Sequence, residues 1–187
     1  MKASYLAATC TALTGPSSVQ ILKREVMPLQ SGEVRIQVHA AGLNFPDWLM
    51  TQGKYQFRPD PPFVPGLEAA GEVIEVASDV SKVKRGDRVM AGGKGGALAE
   101  QWVVHQRAVT LLPPSLSFEE GACWQTAAST AWHALVERGH LQAGESILIL
   151  GASGGVGMAA VKMARHIGAT VIGTGSSPEK REAIRQA

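Results

Sequence analysis

The stretch that decides the fold is Ser146-Ile147-Leu148-Ile149-Leu150-Gly151-Ala152-Ser153-Gly154-Gly155-Val156-Gly157. Its opening is a nearly continuous apolar run, which is typical of a parallel strand covered on both faces. A helix follows, and the apolar residues of its buried face recur every three or four positions: Val156, Ala159, Ala160, Met163, Ala164 and Ile167. Gly168 ends this helix, and residues 170–173 read as the next strand. The order strand, glycine loop, helix and strand predicts a parallel β-α-β unit.

The glycines of this loop have the spacing of a turn that binds a pyrophosphate. Gly154 lets the backbone approach the phosphates, and Gly157 lets the helix pack closely on the strand. Free N–H groups at the start of the helix, together with the positive end of its dipole, bind phosphate oxygens. Ala152 replaces the first glycine of the usual fingerprint, and the alternative is a turn kept for tight packing alone. Between a buried strand and an amphipathic helix, the motif predicts a dinucleotide site formed by Ala152, Ser153, Gly154, Gly155, Val156 and Gly157.

The segment after the second strand indicates which dinucleotide is bound. An NAD site normally places Asp or Glu there, about 20 residues on, to bind the ribose 2′-hydroxyl. No carboxylate stands at the strand end in Gly173-Thr174-Gly175-Ser176-Ser177-Pro178-Glu179-Lys180-Arg181. We therefore expect Thr174, Ser176 and Lys180 to contact the cofactor, and we predict NADP(H) rather than NAD(H). Alternatively, Glu179 serves only the first turn of the next helix, and Lys180 and Arg181 are solvated surface.

Residues 1–116 have a different character and predict a β-rich domain. Glu33–Leu43 alternates apolar and polar residues with period two, which is typical of a half-buried strand. A short helix is predicted at Phe45–Gln52, and Leu67–Ala77 reads as another strand in which Gly71 marks a bulge or a close backbone contact. Further strands near Asp87–Ala91 and Leu98–Val104 flank a Gly-Gly-Lys-Gly-Gly loop. Short strands in this number predict a partly closed barrel.

The pattern changes after Pro113-Pro114. Ser117 is followed three residues later by Glu120, which is the signature of a capping box and announces a helix. Residues 127–138 continue as helix and stop at Gly139. Because the α/β pattern follows from there, the sequence predicts two domains, 1–116 and 117–187.

Composition excludes several classes of protein. With a net charge of +2 and no cluster of Lys and Arg, a nucleic-acid surface is not expected. Cys10 and Cys123 are too few for a disulfide framework or a four-thiolate zinc site. No apolar run approaches the ~20 residues that cross a bilayer, and the first residues lack the long apolar core of a signal peptide. The sequence therefore predicts a cytoplasmic protein without a membrane or nucleic-acid partner.

Several motifs in order resemble one family. They are Ala41-Gly42-Leu43-Asn44-Phe45-Pro46-Asp47, Pro65-Gly66-Leu67-Glu68-Ala69-Ala70-Gly71, Gly86-Asp87-Arg88-Val89 and the glycine loop at 151–157. Together they resemble the medium-chain dehydrogenase/reductase superfamily, and within it the zinc-free NADPH:quinone oxidoreductases of the zeta-crystallin group. The resemblance implies a GroES-like, partly closed β-barrel followed by a Rossmann-type domain, and a homodimer.

The zinc branch of that superfamily can be compared position by position. Its alcohol dehydrogenases place Cys where this chain has Asn44, His where it has Leu67, and commonly Cys near Thr126. These three residues are not a competent set of zinc ligands, and the five histidines show no ligand spacing. We therefore expect no metal site. Hydride transfer to an acceptor that is already electrophilic, such as a quinone or an α,β-unsaturated carbonyl, then remains as the expected chemistry.

The resemblance also implies that Asn44, Asp47, Tyr55 and Thr130 border the nicotinamide and the substrate. Tyr55 is the best candidate for a proton donor, because a phenol can donate to a developing oxyanion. The alternative role for Tyr55 is that of an aromatic lid. Asn44 and Asp47 could instead cap the short helix that begins there.

Three functions remain open at this stage. A quinone reductase is the leading hypothesis, an enoyl thioester reductase of the same superfamily is the second, and a non-catalytic NADPH-binding or structural protein is the third. A complete Rossmann domain has six strands and this sequence supplies two. We therefore expect a truncated Rossmann domain, either because the chain is a fragment or because another chain completes the sheet.

Overall fold

The computed structural model describes residues 4–187 and divides into two compact units. The first unit ends at Gln125 and the second begins at Thr126. The predicted boundary between residues 116 and 117 lies just before a short helix, Phe118–Ala122, that falls in the first unit.

Antiparallel strands build the first unit. They are β1 (Ser4–Cys10), β2 (Val19–Glu25), β3 (Glu33–Gly42), β4 (Glu68–Val76), β5 (Arg88–Gly92), β6 (Gln101–His105) and β7 (Val109–Leu111). Five of them form a sheet in the order β6-β3-β4-β5-β7, while β1 and β2 pair separately. An isolated bridge joins Ala7 of β1 to Ala99, just before β6. The core of the unit is the apolar cluster of Val34, Ile36, Ala69, Val73, Val83, Val89, Ala91, Ala97, Trp102, Val104 and Val109.

Strand β3 has the predicted position, but it carries buried side chains on both faces and not on one face only. Val34 and Ile36 are fully buried on one face, as the period-two pattern predicts. Arg35 points to the other face and is also buried, with its Nε atom 2.8 Å from Glu75 Oε2 on β4. A cross-strand ion pair thus allows a charged side chain where the alternation predicts an exposed one.

Gly71 makes the close contact that the sequence predicts. It pairs with Val38 across the β3–β4 ladder, beside a register shift between Val38 and Ala40. A Cβ atom at this position would lie 2.0 Å from the carbonyl oxygen of Gln37. The glycine is therefore required by the approach of two backbones.

Short α-helices of the first unit are α1 (Phe45–Met50) and α2 (Phe118–Ala122). The predicted capping box of α2 is confirmed, since Glu120 N donates to Ser117 Oγ and Ser117 N donates to Glu120 Oε2 at 3.2 and 2.8 Å. Helix α1 follows Asn44 and ends earlier than predicted, at Met50.

The second unit is the predicted α/β unit. It contains α3 (Gln125–Trp132), which starts at the boundary and continues as a π-helical segment (His133–Arg138), then β8 (Ser146–Ile149), α4 (Gly155–Ile167), β9 (Thr170–Gly173) and α5 (Pro178–Gln186). Strands β8 and β9 pair in parallel. Helix α4 ends at Gly168, whose φ of 94° is the left-handed conformation that glycine adopts readily.

The prediction that β8 is covered on both faces is wrong for the described residues. Ile147, Ile149 and Val171 pack against α4 and Ile184 of α5. Leu148 and its partner Ile172 point the other way and are 59% and 57% exposed. Within residues 4–187, no helix is long and apolar enough to cross a membrane.

Candidate functional site

Thr174 holds the glycine loop against the end of β9. Its carbonyl oxygen accepts a hydrogen bond from Ala152 N at 3.0 Å, and its hydroxyl accepts one from Gly151 N at 3.1 Å. Its own N–H donates to Ile149 O at 3.0 Å, in the last residue of β8. The first turn of the loop is therefore fixed by the residue that directly follows the neighbouring strand. The structure gives Thr174 a positioning role that sequence reasoning did not assign.

The glycines of the loop fall into two kinds. A Cβ atom at Gly157 would lie 2.5 Å from Gly151 O and 2.8 Å from Ala152 Cα, so the turn itself requires this glycine. A Cβ atom at Gly154 would meet only Gly151 O, at 3.5 Å, and one at Gly155 only Ala127 Cβ, at 3.9 Å. Those are ordinary contacts, and Gly154 has extended backbone angles that any residue adopts. Packing therefore explains Gly157 but does not explain Gly154 and Gly155.

The loop also presents donors without acceptors. Gly154 N donates to Gly151 O and Met158 N donates to Gly154 O. In the described part of the chain, the N–H groups of Ser153, Gly155, Val156 and Gly157 have no hydrogen-bond acceptor. Three of them begin α4, which is 13 residues long and directs the positive end of its dipole to the same place. This arrangement of open backbone and donors fits the pyrophosphate of a dinucleotide.

Two of the residues predicted to bind the 2′-phosphate lie together after β9. Lys180 Nζ is 3.3 Å from Ser176 Oγ, and both side chains are exposed. Ser177 caps α5 by accepting from Lys180 N at 3.3 Å. Hydrogen bonds from the Ser177 hydroxyl and from its own N–H hold the pKa of Glu179 below its usual range. Glu179 thus serves the first turn of α5, as the alternative interpretation had it.

In the first unit, Asn44 and Asp47 form one hydrogen-bond network with Glu68. Asn44 N donates to Asp47 Oδ2 at 2.8 Å, and Asn44 Nδ2 donates to Glu68 Oε1 at 2.8 Å. The other Asp47 oxygen, Oδ1, accepts from Gly66 N at 2.9 Å. Both Asp47 oxygens are therefore used by backbone N–H groups, and its side chain is buried. This geometry favours the capping role for Asp47 over a place beside the substrate.

Burial raises the pKa of Asp47 above its ordinary value of 3.8. The hydrogen bonds from Asn44 N and Gly66 N oppose this shift, while the negative charge of Glu68 adds to it. A carboxyl group with a raised pKa binds its proton more tightly in the folded chain than in the unfolded chain. Its contribution to stability therefore grows as the pH falls through the folded pKa towards 3.8.

We expect this effect in a comparison with Asp47→Asn. The free energy of unfolding in urea, measured at several pH values from 7 downward, should shift in favour of the wild type as the pH approaches 3.8. The difference between the two proteins cancels the contributions of the carboxyl groups that do not interact with Asp47. A difference that stays constant, or that moves against the wild type, would contradict the raised pKa.

Tyr55 lines a cavity of about 490 Å³, here called the Tyr55 cavity, together with Gln56, Phe57, Leu67, Gly93 and Lys94. Among residues 4–187 its hydroxyl has no hydrogen-bond partner. Arg58 Nε donates to its carbonyl oxygen at 3.1 Å and helps to hold the loop. A half-buried phenol at a cavity wall can donate to a bound oxygen, so the structure is compatible with both roles considered for Tyr55, donor and lid.

Thr130 lies on α3 in the second unit and is exposed. Its hydroxyl donates to Thr126 O at 2.6 Å, a bond that threonine commonly makes within a helix. Within the described range, no group of three or more His, Cys, Asp or Glu residues could hold a metal ion.

The chain is similar to known oxidoreductases in both sequence and fold. Residues 30–114 match the alcohol dehydrogenase GroES-like domain family. The quinone oxidoreductase-like protein 2 homolog of Nematostella vectensis is 40% identical over 98% of this chain and 50% of its own length. The quinone oxidoreductase from Thermus thermophilus, solved also in complex with NADPH, superimposes with a TM-score of 0.83 at 37% identity, over 94% of this chain and 55% of that one. The chain belongs to the medium-chain dehydrogenase/reductase superfamily.

The similar structures also include an enoyl reductase. The CurK enoyl reductase superimposes with a TM-score of 0.86 at 28% identity, covering 98% of this chain and 57% of that one. The chain spans about half the length of the curated relatives it matches. The predicted GroES-like domain and the start of a Rossmann-type domain are confirmed.

Sequence reasoning about this superfamily member missed three features of the first unit. Two of them are hydrogen bonds, from Gly66 N to Asp47 and from Asn44 to the buried Glu68. The third is the cavity that Lys94 lines together with Tyr55. The four glycines around Lys94 could have indicated its importance, because Lys94 carries the one side chain of that loop. The other two contacts join segments that only the fold brings together.

Proposed function

We propose that this chain belongs to an NADPH-dependent oxidoreductase that reduces a quinone or a similarly electrophilic acceptor without zinc. The observation that carries this proposal is the glycine loop, where Gly154 and Gly155 leave space that no packing requires. Backbone donors without acceptors face the same segment, within the part of the chain that the structure describes. A phosphate-bearing ligand accounts for both features at once.

The end of β9 supports NADP(H) over NAD(H). Ser176 and Lys180 offer a hydroxyl and a cation within 3.3 Å of each other, which suits a 2′-phosphate. Thr174 and Gly175 stand where an NAD site would place a carboxylate. The structure of the Thermus thermophilus quinone oxidoreductase with NADPH supports the same choice by analogy.

The residue types of the first unit support an acceptor that needs no Lewis acid. Bound NADPH supplies the hydride. Asn44 and Leu67 stand where zinc-dependent members carry Cys and His, and the amide of Asn44 is committed to Glu68. Tyr55 offers a phenol that can donate a hydrogen bond to an acceptor oxygen as negative charge develops on it. Quinones carry such oxygens and are electrophilic without a metal.

The cofactor assignment is tested by titrating the chain with NADPH and NADH. We expect NADPH to bind more tightly, and Lys180→Gln to weaken NADPH binding about fivefold while leaving NADH unchanged, as for an ion pair worth about 1 kcal/mol near an exposed surface. Lys162→Gln removes a charge from the exposed side of α4 and serves as the matched control. Equal affinities for both nucleotides, or equal losses on Lys180→Gln, would contradict the NADP(H) assignment.

Turnover tests the acceptor. NADPH oxidation is followed with a quinone and with an enoyl thioester, using both this chain and a form as long as its relatives. Quinone-dependent oxidation is the expected result. The similarity to the CurK enoyl reductase makes enoyl thioester reduction the second candidate, and preferential oxidation with the thioester would establish it. Tight NADPH binding without turnover in either form would instead support a non-catalytic NADPH-binding protein.

A further inference from the structure

The loop Gly92–Gly96 is shaped by the indole of Trp102. A Cβ atom at Gly93 would lie 2.7 Å from Trp102 Cζ2, and one at Gly96 would lie 2.7 Å from Trp102 Nε1. The same Nε1 atom donates to Gly95 O at 3.0 Å. Gly95 and Gly96 also have positive φ angles of 153° and 97°. Packing on a buried tryptophan therefore explains the glycines on both sides of Lys94.

The loop is tied to the rest of the unit at both ends. Gly93 N donates to Leu67 O and Gly96 N donates to Val64 O, each at 2.8 Å. Lys94 supplies the only side chain in the loop. Its position is therefore set by a backbone that is anchored on two sides, which distinguishes it from a lysine on a free surface loop.

Lys94 borders the Tyr55 cavity. Its Nζ atom lies 5.9 Å from the centre of the Phe57 ring, within the range of a weak cation–π contact. Such a contact orients the ammonium group and leaves its charge in place. In the described part of the chain, Lys94 has no carboxylate within salt-bridge distance.

The loop that carries Tyr55 and Phe57 has a net positive charge. Lys54 and Arg58 are exposed on the loop that carries Tyr55 and Phe57, and Asp60 is the acidic residue of that loop. Lys54 Nζ is occupied by Gln52 Oε1 at 2.8 Å, and Arg58 Nε by Tyr55 O. Lys94 is the charged residue among those that line the cavity, and its ammonium group lies near the ring of Phe57, which also lines it.

We propose that Lys94 makes the Tyr55 cavity select acceptors that carry a negative charge. The inference rests on the proposed function, because it names the class of acceptor that this site takes. The shared chemistry is a carboxylate, sulfonate or phosphate attached to a molecule with an electrophilic carbonyl. Such a group can belong to an acidic quinone or to the phosphate-bearing arm of an acyl thioester.

Binding of matched acceptor pairs to this chain, measured by equilibrium dialysis, tests the proposal. One pair is 9,10-anthraquinone-2-sulfonate and its neutral 2-sulfonamide, and the other is crotonyl-pantetheine and its 4′-phosphate. We expect the charged member of at least one pair to bind about two- to fivefold more tightly, as for one partly exposed ion pair, and the preference to disappear at about 1 M salt. The pair that shows the preference identifies the source of the charge.

Variants test whether Lys94 causes the preference for charged acceptors. Lys94→Gln should abolish it, Lys94→Glu should reverse it and Lys94→Arg should retain it. Lys84→Gln, which removes an exposed charge from the turn before β5, should leave the preference intact. Equal binding of charged and neutral acceptors by the wild type, or a preference that survives Lys94→Gln, would overturn the proposal. Titration of the same sample with NADPH tests the proposed function separately, because acceptor binding is measured without nucleotide.

Discussion

Gly154→Val abolishes dinucleotide binding and leaves the second unit folded. The new side chain would occupy the open space above the loop, where only Gly151 O lies within reach. The backbone angles of Gly154 suit a β-branched residue, so the fold has no reason to change. A phosphate kept away from the loop loses at least two charge-assisted hydrogen bonds, worth about 1.5–3 kcal/mol each. We therefore expect NADPH affinity to fall by about a hundredfold or more.

Gly157→Ala is the matched control for this experiment. Its added methyl group would meet the backbone of Gly151 and Ala152 instead of open space. Overpacking against backbone costs about 1–3 kcal/mol, so thermal unfolding of this variant should shift downward while that of Gly154→Val should not. Unchanged NADPH affinity in a folded Gly154→Val protein would refute the role of the loop.

Asp47→Ala strongly destabilises the first unit. The change leaves the N–H groups of Asn44 and Gly66 without the acceptor that each has now. An unpaired buried backbone donor costs about 1–3 kcal/mol. Because Gly66 is buried and Asn44 only partly buried, we expect a loss of about 2–4 kcal/mol in the free energy of unfolding. That is a large part of the stability of an ordinary domain. Asp47→Asn should lose less, because an amide oxygen can still accept one of the two bonds.

Asp79 provides a control, because like Asp47 it is a carboxylate that accepts two hydrogen bonds, but it is exposed where Asp47 is buried. It accepts bonds from Ser31 Oγ and Gly32 N, at 2.6 and 2.8 Å, but it is exposed to solvent. Water can replace it, so Asp79→Ala should cost less than about 1 kcal/mol. A stable Asp47→Ala protein whose only defect is turnover would return Asp47 to the catalytic role that the family resemblance implies.

The second unit could be predicted from sequence almost completely. Its signals are local: the apolar run of β8, the three-to-four spacing along α4 and the terminal Gly168 all act within a few residues. The widening of the last helical turns at His133–Arg138 into a π-helix carries no comparable signal. The exposed face of Leu148 and Ile172 could not be predicted either, because it depends on what packs against the sheet.

The first unit shows where local patterns stop being informative. Strand β2, Val19–Glu25, has mostly exposed side chains and no alternation, and its pairing with β1 is what makes it a strand. The Tyr55 cavity draws on three separate segments, around Tyr55, Leu67 and Lys94. The motif containing Asn44 and Asp47 could be recognised, but the partners that explain those residues, Glu68 and Gly66, lie about 20 residues further on.

Thr174 separates two tasks of the proposed dinucleotide site, namely shaping the glycine loop and selecting the cofactor. The N–H groups of Gly151 and Ala152 both donate to this one residue, and the hydrogen bonds of the Ser176 and Lys180 side chains stay within their own segment. Residues 176–180 can therefore change without removing a hydrogen bond from the turn that we propose for the pyrophosphate. Substitutions in that segment could therefore alter cofactor preference without changing the glycine loop, provided that Thr174 is retained.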